Sequence, residues 1–383
     1  MVSDFIVVGA GAYGCAVAYH LSSAGATVTV LEQDSIGEGA SGGYGKRGVR
    51  GNRRDARELP LMAEAYELWP HLAAELGSET GYTRTGGLIL VEEEVVGMRG
   101  GRVAMQAHAI AQTQLGVPTE TWNAEQVRAQ VPQASDNIKG ALYAPLDGSA
   151  SHSATTQAYA EAARCHGTDF HENTKVIGIT AGSSSSPNEV TTSNGQNFAA
   201  RNGVLLATNS AVPTLLREHF NLRLPAWMVF PQAILIDAEH EPVLPFLTGH
   251  DSRVLSVKLV DEGKVMVSGG WRGALDPHTG RGTPIEKNVA GNIAQLSTVF
   301  PGLGNLQRVA VDTSRPETAT FDQIPFIDKV PGTQSVYFAT GWSGHGWALL
   351  PAASKRIAQL VTTGEHSAST APFSLDRINM RRL

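Results

Sequence analysis

Residues 5–14 read FIVVGAGAYG, a short apolar run followed by three regularly spaced glycines. The run at residues 5–8 is apolar on both faces, which is typical of a buried parallel strand. Small and apolar residues at helical spacing follow over residues 15–21, and a second apolar run, residues 27–31, leads to Glu32. The pattern predicts a strand, a glycine turn, a helix and a second strand.

A turn of this kind between a strand and a helix is typical of a dinucleotide site. The glycines allow a tight turn and let a pyrophosphate approach the helix N-terminus. The residues predicted to contact the cofactor here are Gly9, Gly11, Ala12, Tyr13 and Gly14.

Glu32 lies at the end of the second strand, where a carboxylate accepts hydrogen bonds from the ribose hydroxyls. An acid at this position favours FAD or NAD over NADP, which carries a 2′-phosphate. Two further matches to the glycine pattern, residues 37–42 and 43–48, neither follow a strand nor open a helix, so we predict that they are loops.

Composition excludes several classes of protein. The chain has 383 residues, 42% hydrophobic and 17% charged, with a net charge of −6, which indicates a globular α/β protein and not a polyanion-binding one. Two cysteines exclude a disulfide scaffold and a cysteine-rich metal site. The sequence shows neither a membrane span nor a signal peptide, so we expect a cytoplasmic protein, and we predict no metal site.

The chain resembles the D-amino acid oxidase superfamily of flavoproteins, and within it the sarcosine oxidase/glycine oxidase branch. Six motifs carry this resemblance along the whole chain. They are GAGAYG at 9–14 with Glu32, GASGG at 39–43, NTKV at 173–176, LATN at 206–209, RPET at 315–318 and ATGWSGHG at 339–346.

The resemblance implies FAD as cofactor and a Rossmann-type FAD-binding domain with an inserted α+β substrate domain, built on an antiparallel sheet. We place the FAD-binding domain at residues 1–85, 143–215 and 315–383, and the substrate domain at 86–142 and 216–314. The late glycine turn is expected to face the flavin pyrimidine. Further FAD contacts implied by the resemblance are Gln33, Ala40, Ser41, Arg47, Val176, Thr208, Gly341, Gly344, Gly346 and Trp347.

A basic stretch at residues 46–57 holds six cations in twelve residues. It lacks interleaved aromatic residues, which argues against binding to nucleic acid. Arg53, Arg54 and Arg57 are expected on a solvated face. The resemblance assigns Arg47 to the flavin environment.

Two arginines are candidate anchors for a substrate carboxylate, because a guanidinium binds a carboxylate with two parallel hydrogen bonds. The resemblance points to Arg50 and to Arg315, with ion pairing inside the protein as the alternative; for Arg315 the partner would be Asp312 or Glu317. If both bind substrate, a diacid such as iminodiacetate should be preferred to sarcosine. His345 would either line the active site or hold its loop.

The chain departs from the sarcosine oxidase pattern at three places. Ala348 replaces a lysine that follows GHG in those proteins. No cysteine lies near residue 315, so FAD is expected to be noncovalently bound. An oxygen-activating lysine would fall near residues 265–266. Lys258 and Lys264 are close, but their register does not match.

The resemblance and these observations together predict an FAD-dependent oxidase of an amino acid, with an N-substituted glycine as the expected substrate. Hydride transfer from the α-carbon to flavin N5 would give an imine, and hydrolysis of this imine would yield a carbonyl compound. The reduction of molecular oxygen would yield hydrogen peroxide. The partners are then a small carboxylate-bearing amine and oxygen, with the oligomeric state left open. The alternatives are a dehydrogenase with a non-oxygen acceptor and a flavin-binding subunit without catalysis of its own.

Overall fold

The computed structural model describes residues 2–43, 45–98, 100–260 and 263–378. The helices, in chain order, are α1 (Ala12–Ser23), α2 (Leu59–Leu68), α3 (Leu72–Leu76), α4 (Met105–Gln114), α5 (Ala124–Gln130), α6 (His152–Cys165), α7 (Val212–Phe220), α8 (Glu286–Val299) and α9 (Leu350–Thr363). The strands are β1 (Val2–Val8), β2 (Val28–Leu31), β3 (Lys46–Val49), β4 (Gly87–Val91), β5 (Glu120–Asn123), β6 (Gly140–Ala144), β7 (Gly148–Ser151), β8 (Asp169–His171), β9 (Val176–Thr180), β10 (Asn188–Thr192), β11 (Asn197–Leu206), β12 (Ala226–Val229), β13 (Ala233–Ala238), β14 (Leu247–His250), β15 (Ser256–Leu259), β16 (Val265–Ser268), β17 (Ala274–Leu275), β18 (Gly282–Thr283), β19 (Leu306–Asp312), β20 (Glu317–Thr320), β21 (Phe326–Lys329) and β22 (Val336–Thr340).

The first sheet is built around β1, as the opening motif predicts. Its order is β21-β22-β11-β1-β2-β8, and the strands from β22 to β8 run parallel. Strand β21 pairs antiparallel at one edge, and the β9–β10 hairpin continues from β11. Helices α1, α6 and α9 share an apolar core on one face, while α7 packs on the other. The predicted α/β class and the Rossmann-type unit are confirmed.

The second sheet has the order β19-β13-β16-β15-β14-β4-β6-β5, and its neighbours are antiparallel except for the β14–β4 pair. Helices α5 and α8 pack against one face through apolar side chains such as Val257 and Leu296. Its strands come from residues 87–144 and 233–312, so the expected limit between residues 142 and 143 falls inside β6. The division into a cofactor domain and a substrate domain stays a prediction.

One local prediction is wrong. Residues 46–48 were expected in a loop, yet they form most of β3, which pairs antiparallel with β7. The pairing partner lies about a hundred residues away in sequence, so no local pattern reveals it. Tyr44, within the same predicted loop, lies outside the described residues.

Helix α6 follows directly on β7, which occupies residues 148–151. Ser151 caps the helix, since its hydroxyl accepts a hydrogen bond from the Ala154 N–H at 3.3 Å. None of the described helices is both long and apolar enough to cross a membrane.

Candidate active site

A cavity of about 950 Å³ lies at the carboxyl ends of β1, β2 and β11, facing the second sheet. Its volume is at the upper end of the roughly 300–1,000 Å³ range of ligand sites. Of the residues predicted for the site, two do not line it, Gly14 and Gly341. Those that do are Gly9, Gly11, Ala12, Tyr13, Glu32, Gln33, Ala40, Ser41, Arg47, Arg50, Val176, Thr208, Arg315, Gly344, His345, Gly346 and Trp347.

The three glycines of the first turn have three different surroundings. Gly9 has a φ of 104°, and a Cβ there would lie 2.9 Å from the Ala207 carbonyl oxygen. A Cβ on Gly14 would lie 1.9 Å from the Gly9 oxygen, so Gly14 allows α1 to pack against the turn. A Cβ on Gly11 would meet nothing within 4 Å, because this residue borders the cavity.

The N-terminus of α1 is available to an anion. Gly11, its N-cap, has no side chain, and the first turn carries no acidic residue. The first amides of a helix have no partner inside it and carry the positive end of its dipole. These amides, at the edge of an open cradle, fit the pyrophosphate of FAD.

Glu32 is brought to the same turn because β1 and β2 are parallel neighbours that end together. One carboxylate oxygen accepts from the Ala10 N–H at 2.7 Å and the other from the Asp34 N–H at 3.0 Å. Each oxygen can accept a further hydrogen bond, and Glu32 lines the cavity. The residues present therefore fit an adenine dinucleotide with free ribose hydroxyls.

The late glycine turn is attached to α1. The Tyr13 ring stacks on the Trp342 ring, with centroids 3.8 Å apart, and the Tyr13 hydroxyl donates to the Gly346 oxygen at 2.7 Å. Gly341 and Gly344 have φ values of 81° and 85°, a conformation that favours glycine. The two glycine turns therefore form one rigid wall of the cavity.

A buried ion pair holds this wall from behind. Arg54 Nη1 lies 3.2 Å from Glu58 Oε1, and the two side chains are 2% and 0% exposed. Arg54 Nη2 donates to the His345 backbone oxygen at 2.5 Å, and His345 Nδ1 lies 3.5 Å from Glu58. Burial, together with the Arg54 and Arg50 cations, holds the pKa of His345 well below its usual range, so its ring is neutral.

The expected solvated face of arginines is wrong for Arg54, which is almost fully enclosed. Arg53 is partly buried and pairs with Asp251 at 2.6 Å. Arg57 comes nearest to the prediction, since 39% of its side chain is exposed and it pairs with Asp55 at 2.9 Å. Which of these arginines faces inward depends on how α2 packs, and their spacing in sequence does not reveal it.

Arg50 lines the cavity but is also bound inside the protein. Its guanidinium donates to the Asn52 carbonyl oxygen, and the buried Asp147 carboxylate adds favourable charge nearby. Asp147 itself accepts from the Tyr66 hydroxyl at 2.5 Å and from the Gly51 N–H at 2.6 Å. Arg50 thus has partial compensation for its charge before any substrate binds.

Arg315 has an acidic partner, although neither of the two that were expected. Its Nη2 lies 2.7 Å from Glu38 Oε1, whereas Asp312 and Glu317 were the predicted candidates. The Glu38 side chain is 48% exposed, so the pair sits at the cavity rim. The role of Arg315 as a carboxylate anchor stays a prediction, which now requires Glu38 to release it.

Three further cations line the cavity. Within the described residues, neither Arg47, Lys258 nor Arg272 has a salt bridge or a side-chain hydrogen bond, and the Arg47 Nε is fully buried without a partner. Burial lowers the pKa of Arg47 to about 10 and, assisted by the Arg47 charge, that of Lys258 to about 8. Burial also lowers the pKa of Arg272.

Glu317 lines the cavity as well, and its carboxylate acts electrostatically on Arg47 and Arg272. Its carboxylate accepts from the Asn209 side chain at 2.9 Å and from the Ser41 hydroxyl at 3.2 Å. Burial raises its pKa, against the effect of these hydrogen bonds. Asp312 is a second acid that acts on Arg47, and neither acid forms a salt bridge with the three cations among the described residues, which leaves the cavity suited to an anion.

Sequence reasoning missed Arg54, Glu58, Arg272 and Glu317 as parts of the site. Arg54 and Glu58 have the spacing of a helical ion pair, a signal too common to indicate burial. Arg272 stands in the glycine-rich stretch after β16, and that context could have marked it.

Lys258 was considered as an oxygen-activating lysine and set aside on register. In the structure it lines the cavity, whereas Lys264 lies near Asp237, with Nζ 4.0 Å from Oδ1. Neither cysteine lines the cavity: Cys15 is buried in α1 and Cys165 is exposed. The described residues contain no cluster of side chains able to hold a metal ion.

A model of the DAO family, described as FAD dependent oxidoreductase, matches residues 4–360. Sarcosine oxidase subunit beta from Arthrobacter sp is 27% identical to the chain, over 99% of the chain and 92% of the relative. Glycine oxidase from Geobacillus kaustophilus is 26% identical, over 98% of the chain and 97% of the relative.

The crystal structure of the same glycine oxidase superposes with a TM-score of 0.82, at 22% identity, over 100% of the chain and 99% of that protein. L-proline dehydrogenase from P. horikoshii also superposes with a TM-score of 0.82, at 24% identity, over 95% of the chain and 94% of that protein. At these identities the superpositions establish the fold alone.

Proposed function

Because the chain belongs to the DAO family of FAD dependent oxidoreductases, we propose that it oxidises the carbon–nitrogen bond of a small amine that carries a carboxylate, an N-substituted glycine. The observation that carries this proposal is the set of three cavity cations that form no salt bridge within the described residues, one of which, Arg272, adjoins the late glycine turn. Relatives at 26–27% identity named sarcosine oxidase subunit beta and glycine oxidase support the substrate class.

FAD, when bound, supplies the acceptor for the hydride that leaves the α-carbon. The chain would hold it through the α1 N-terminus, Glu32 and the late glycine turn. Neither cysteine borders the cavity, which supports noncovalent binding.

Arg272 is the cation best placed to bind the substrate carboxylate at the glycine turn. A Cβ on Gly344 would lie 3.7 Å from Arg272 Nη2, so the guanidinium adjoins the turn. A substrate carboxylate there would neutralise the positive charge of Arg272 that Glu317 leaves uncompensated. Two parallel hydrogen bonds from the guanidinium would fix the orientation of that carboxylate. Arg50, with its partial internal compensation, is proposed as a second contact on the same carboxylate.

His345 would position the turn rather than exchange protons. Its backbone oxygen is held by Arg54, and its depressed pKa keeps the ring neutral beside the substrate. A neutral ring adds no positive charge near the amine, which must itself be neutral to lose hydride.

Anaerobic mixing of the purified holoenzyme with single amines tests this function. The panel contains sarcosine, iminodiacetate, glycine, proline and a D-amino acid, and bleaching of the flavin absorbance is recorded. We expect bleaching by N-substituted glycines, with a KM for sarcosine raised roughly 10-fold or more in Arg272→Gln. No bleaching by any of these amines would contradict the proposal and favour a non-catalytic flavin-binding subunit.

Oxygen is the proposed electron acceptor. If it is, each equivalent of amine oxidised should consume one of oxygen and release one of hydrogen peroxide. Bleaching without steady oxygen consumption would instead indicate a dehydrogenase with another acceptor.

A further inference from the structure

Lys258 projects from β15 on the face of the second sheet that borders the cavity. Along this strand Val257 points into the apolar core, whereas its neighbours Ser256 and Lys258 line the cavity. Ser268 on β16 pairs with Ser256 on β15, and it lines the cavity too. Alternation along the strand therefore places two hydroxyls and one ammonium group together on a single face.

The described residues provide no ion-pair partner for the ammonium group of Lys258. Within the described part of the chain, Lys258 has no salt bridge or side-chain hydrogen bond, and its charged neighbour is another cation, Arg47. A half-buried ammonium beside a guanidinium is costly unless an anion joins them. The depressed pKa of Lys258 is the expected consequence of such surroundings.

Lys258 and Arg272 occupy different places in the cavity. Arg272 adjoins Gly344, and the charged group that acts on it is the Glu317 carboxylate. The charged group that acts on Lys258 is the Arg47 cation on β3. Lys258 projects from β15 beside Ser256 and Ser268, on the face of the second sheet, and not from the late glycine turn. The cavity therefore offers two separate positions for negative charge.

We propose that Lys258, with the Ser256 and Ser268 hydroxyls, binds a second carboxylate on the nitrogen substituent, so that the preferred substrate is a secondary amine diacid. This inference rests on the proposed function, in which Arg272 binds the first carboxylate. Lys258 is then the residue that determines specificity for the acidic substituent.

Two unreactive ligands that differ by one carboxylate test the site. Thiodiacetate and (methylthio)acetate have the shapes of iminodiacetate and sarcosine but no amine to oxidise. Their dissociation constants are measured on the holoenzyme by calorimetry and by perturbation of the flavin absorbance. We expect thiodiacetate to bind roughly 30-fold more tightly in the wild type. Equal affinities would overturn the proposal without any variant.

Variants identify the group responsible. Lys258→Met should abolish the preference for thiodiacetate while leaving (methylthio)acetate binding within about threefold, and Lys258→Arg should retain much of it. Lys264→Met is the matched control, because that lysine lies one strand away and does not line the cavity. A preference that survives in Lys258→Met, or is lost in the control, would contradict the assignment.

The outcomes separate this inference from the proposed function. A Lys258-dependent preference for thiodiacetate in an enzyme that no amine reduces would retain the anion site and reject the function. Reduction of the flavin by sarcosine, with no preference for thiodiacetate over (methylthio)acetate, would retain the function and reject the anion site. If Lys258→Met slows only the reaction of reduced enzyme with oxygen, the lysine serves the cofactor side and the proposal is overturned.

Discussion

At the residue scale, charged groups in the cavity fall into two kinds. Glu58 and Arg54 compensate each other out of contact with solvent. Lys258 and Arg272 face the cavity and have no such partner in the described structure. The first kind maintains the shape of the site, and the second is free to bind an anion.

Replacement of Glu32 by alanine should yield largely apoprotein. Each hydrogen bond to a charged acceptor contributes roughly 1.5–3 kcal/mol, so loss of the ribose contact should weaken FAD binding roughly 10-fold to 100-fold. The flavin-to-protein absorbance ratio measures occupancy. Glu161→Ala is a suitable control, since Glu161 is an exposed acid on α6 and does not line the cavity. Full occupancy in Glu32→Ala would show that this carboxylate does not hold the ribose.

The second-carboxylate site should depend on pH through Lys258. Its pKa is lowered to about 8, with the Arg47 cation as its charged neighbour, so the ammonium is present below that pH and lost above it. The ratio of kcat/KM for iminodiacetate to that for sarcosine should therefore fall as the pH rises from about 7 to about 9. Taking the ratio removes effects common to both amines. Lys258→Arg should flatten the profile, and a flat profile in the wild type would argue against the assignment.

At the scale of elements, the site is a joint between α1 and the late glycine turn. The Tyr13–Trp342 stack and the hydrogen bond from Tyr13 to Gly346 connect segments more than three hundred residues apart. The turn leads through a short 3₁₀ helix at Gly346–Leu349 into α9, which packs against α1. Movement of α1 would therefore displace both glycine turns of the cofactor site.

Two glycine substitutions at the start of α1 should have different consequences, one for stability and one for flavin binding. In Gly14→Ala the new Cβ would lie 1.9 Å from the Gly9 backbone oxygen, so α1 must shift at a cost of roughly 1–3 kcal/mol. In Gly11→Ala the new Cβ enters open cavity, so the thermal midpoint should change little while flavin content falls. Melting curves and flavin ratios of both proteins check this contrast. An unchanged midpoint for Gly14→Ala would be inconsistent with the close packing.

At the scale of the whole molecule, the cavity is formed between two sheets of different construction. The parallel sheet ends its strands at the dinucleotide site, and the antiparallel sheet contributes Ser256, Lys258 and Ser268 from one face. The β12–β20 ladder pairs a strand of the expected substrate segment with one of the expected FAD-binding segment. Each part alone would lack half of the site.

Acid precipitation should release FAD from the purified protein. Cys15 is buried in α1 and Cys165 is exposed on α6, so neither can reach a cofactor in the cavity. The supernatant should be yellow and the pellet colourless. Flavin retained in the pellet would contradict noncovalent binding and direct attention to the histidines that line the cavity, His152, His219 and His345.

Much of the site was accessible from sequence, since all but two of the predicted residues line the cavity. The exceptions, Gly14 and Gly341, adjoin it and serve backbone packing. What the sequence did not reveal was which cations are compensated. Arg54 looks like its exposed neighbour Arg57, and the partner of Arg315 is Glu38, far away in sequence. Charge compensation depends on which acids the folded chain brings within a few ångströms.

The sequence by itself determined the strand, glycine turn and helix at residues 5–21, the acid at Glu32 and the family resemblance. These are local patterns, because strand and helix periodicity and the steric freedom of glycine act over a few neighbouring residues. Only the tertiary structure decided that β3 pairs with β7, that Arg54 is enclosed and that Lys258 and Arg272 face one cavity. Such features depend on contacts between segments about a hundred or more residues apart, which local periodicity does not encode.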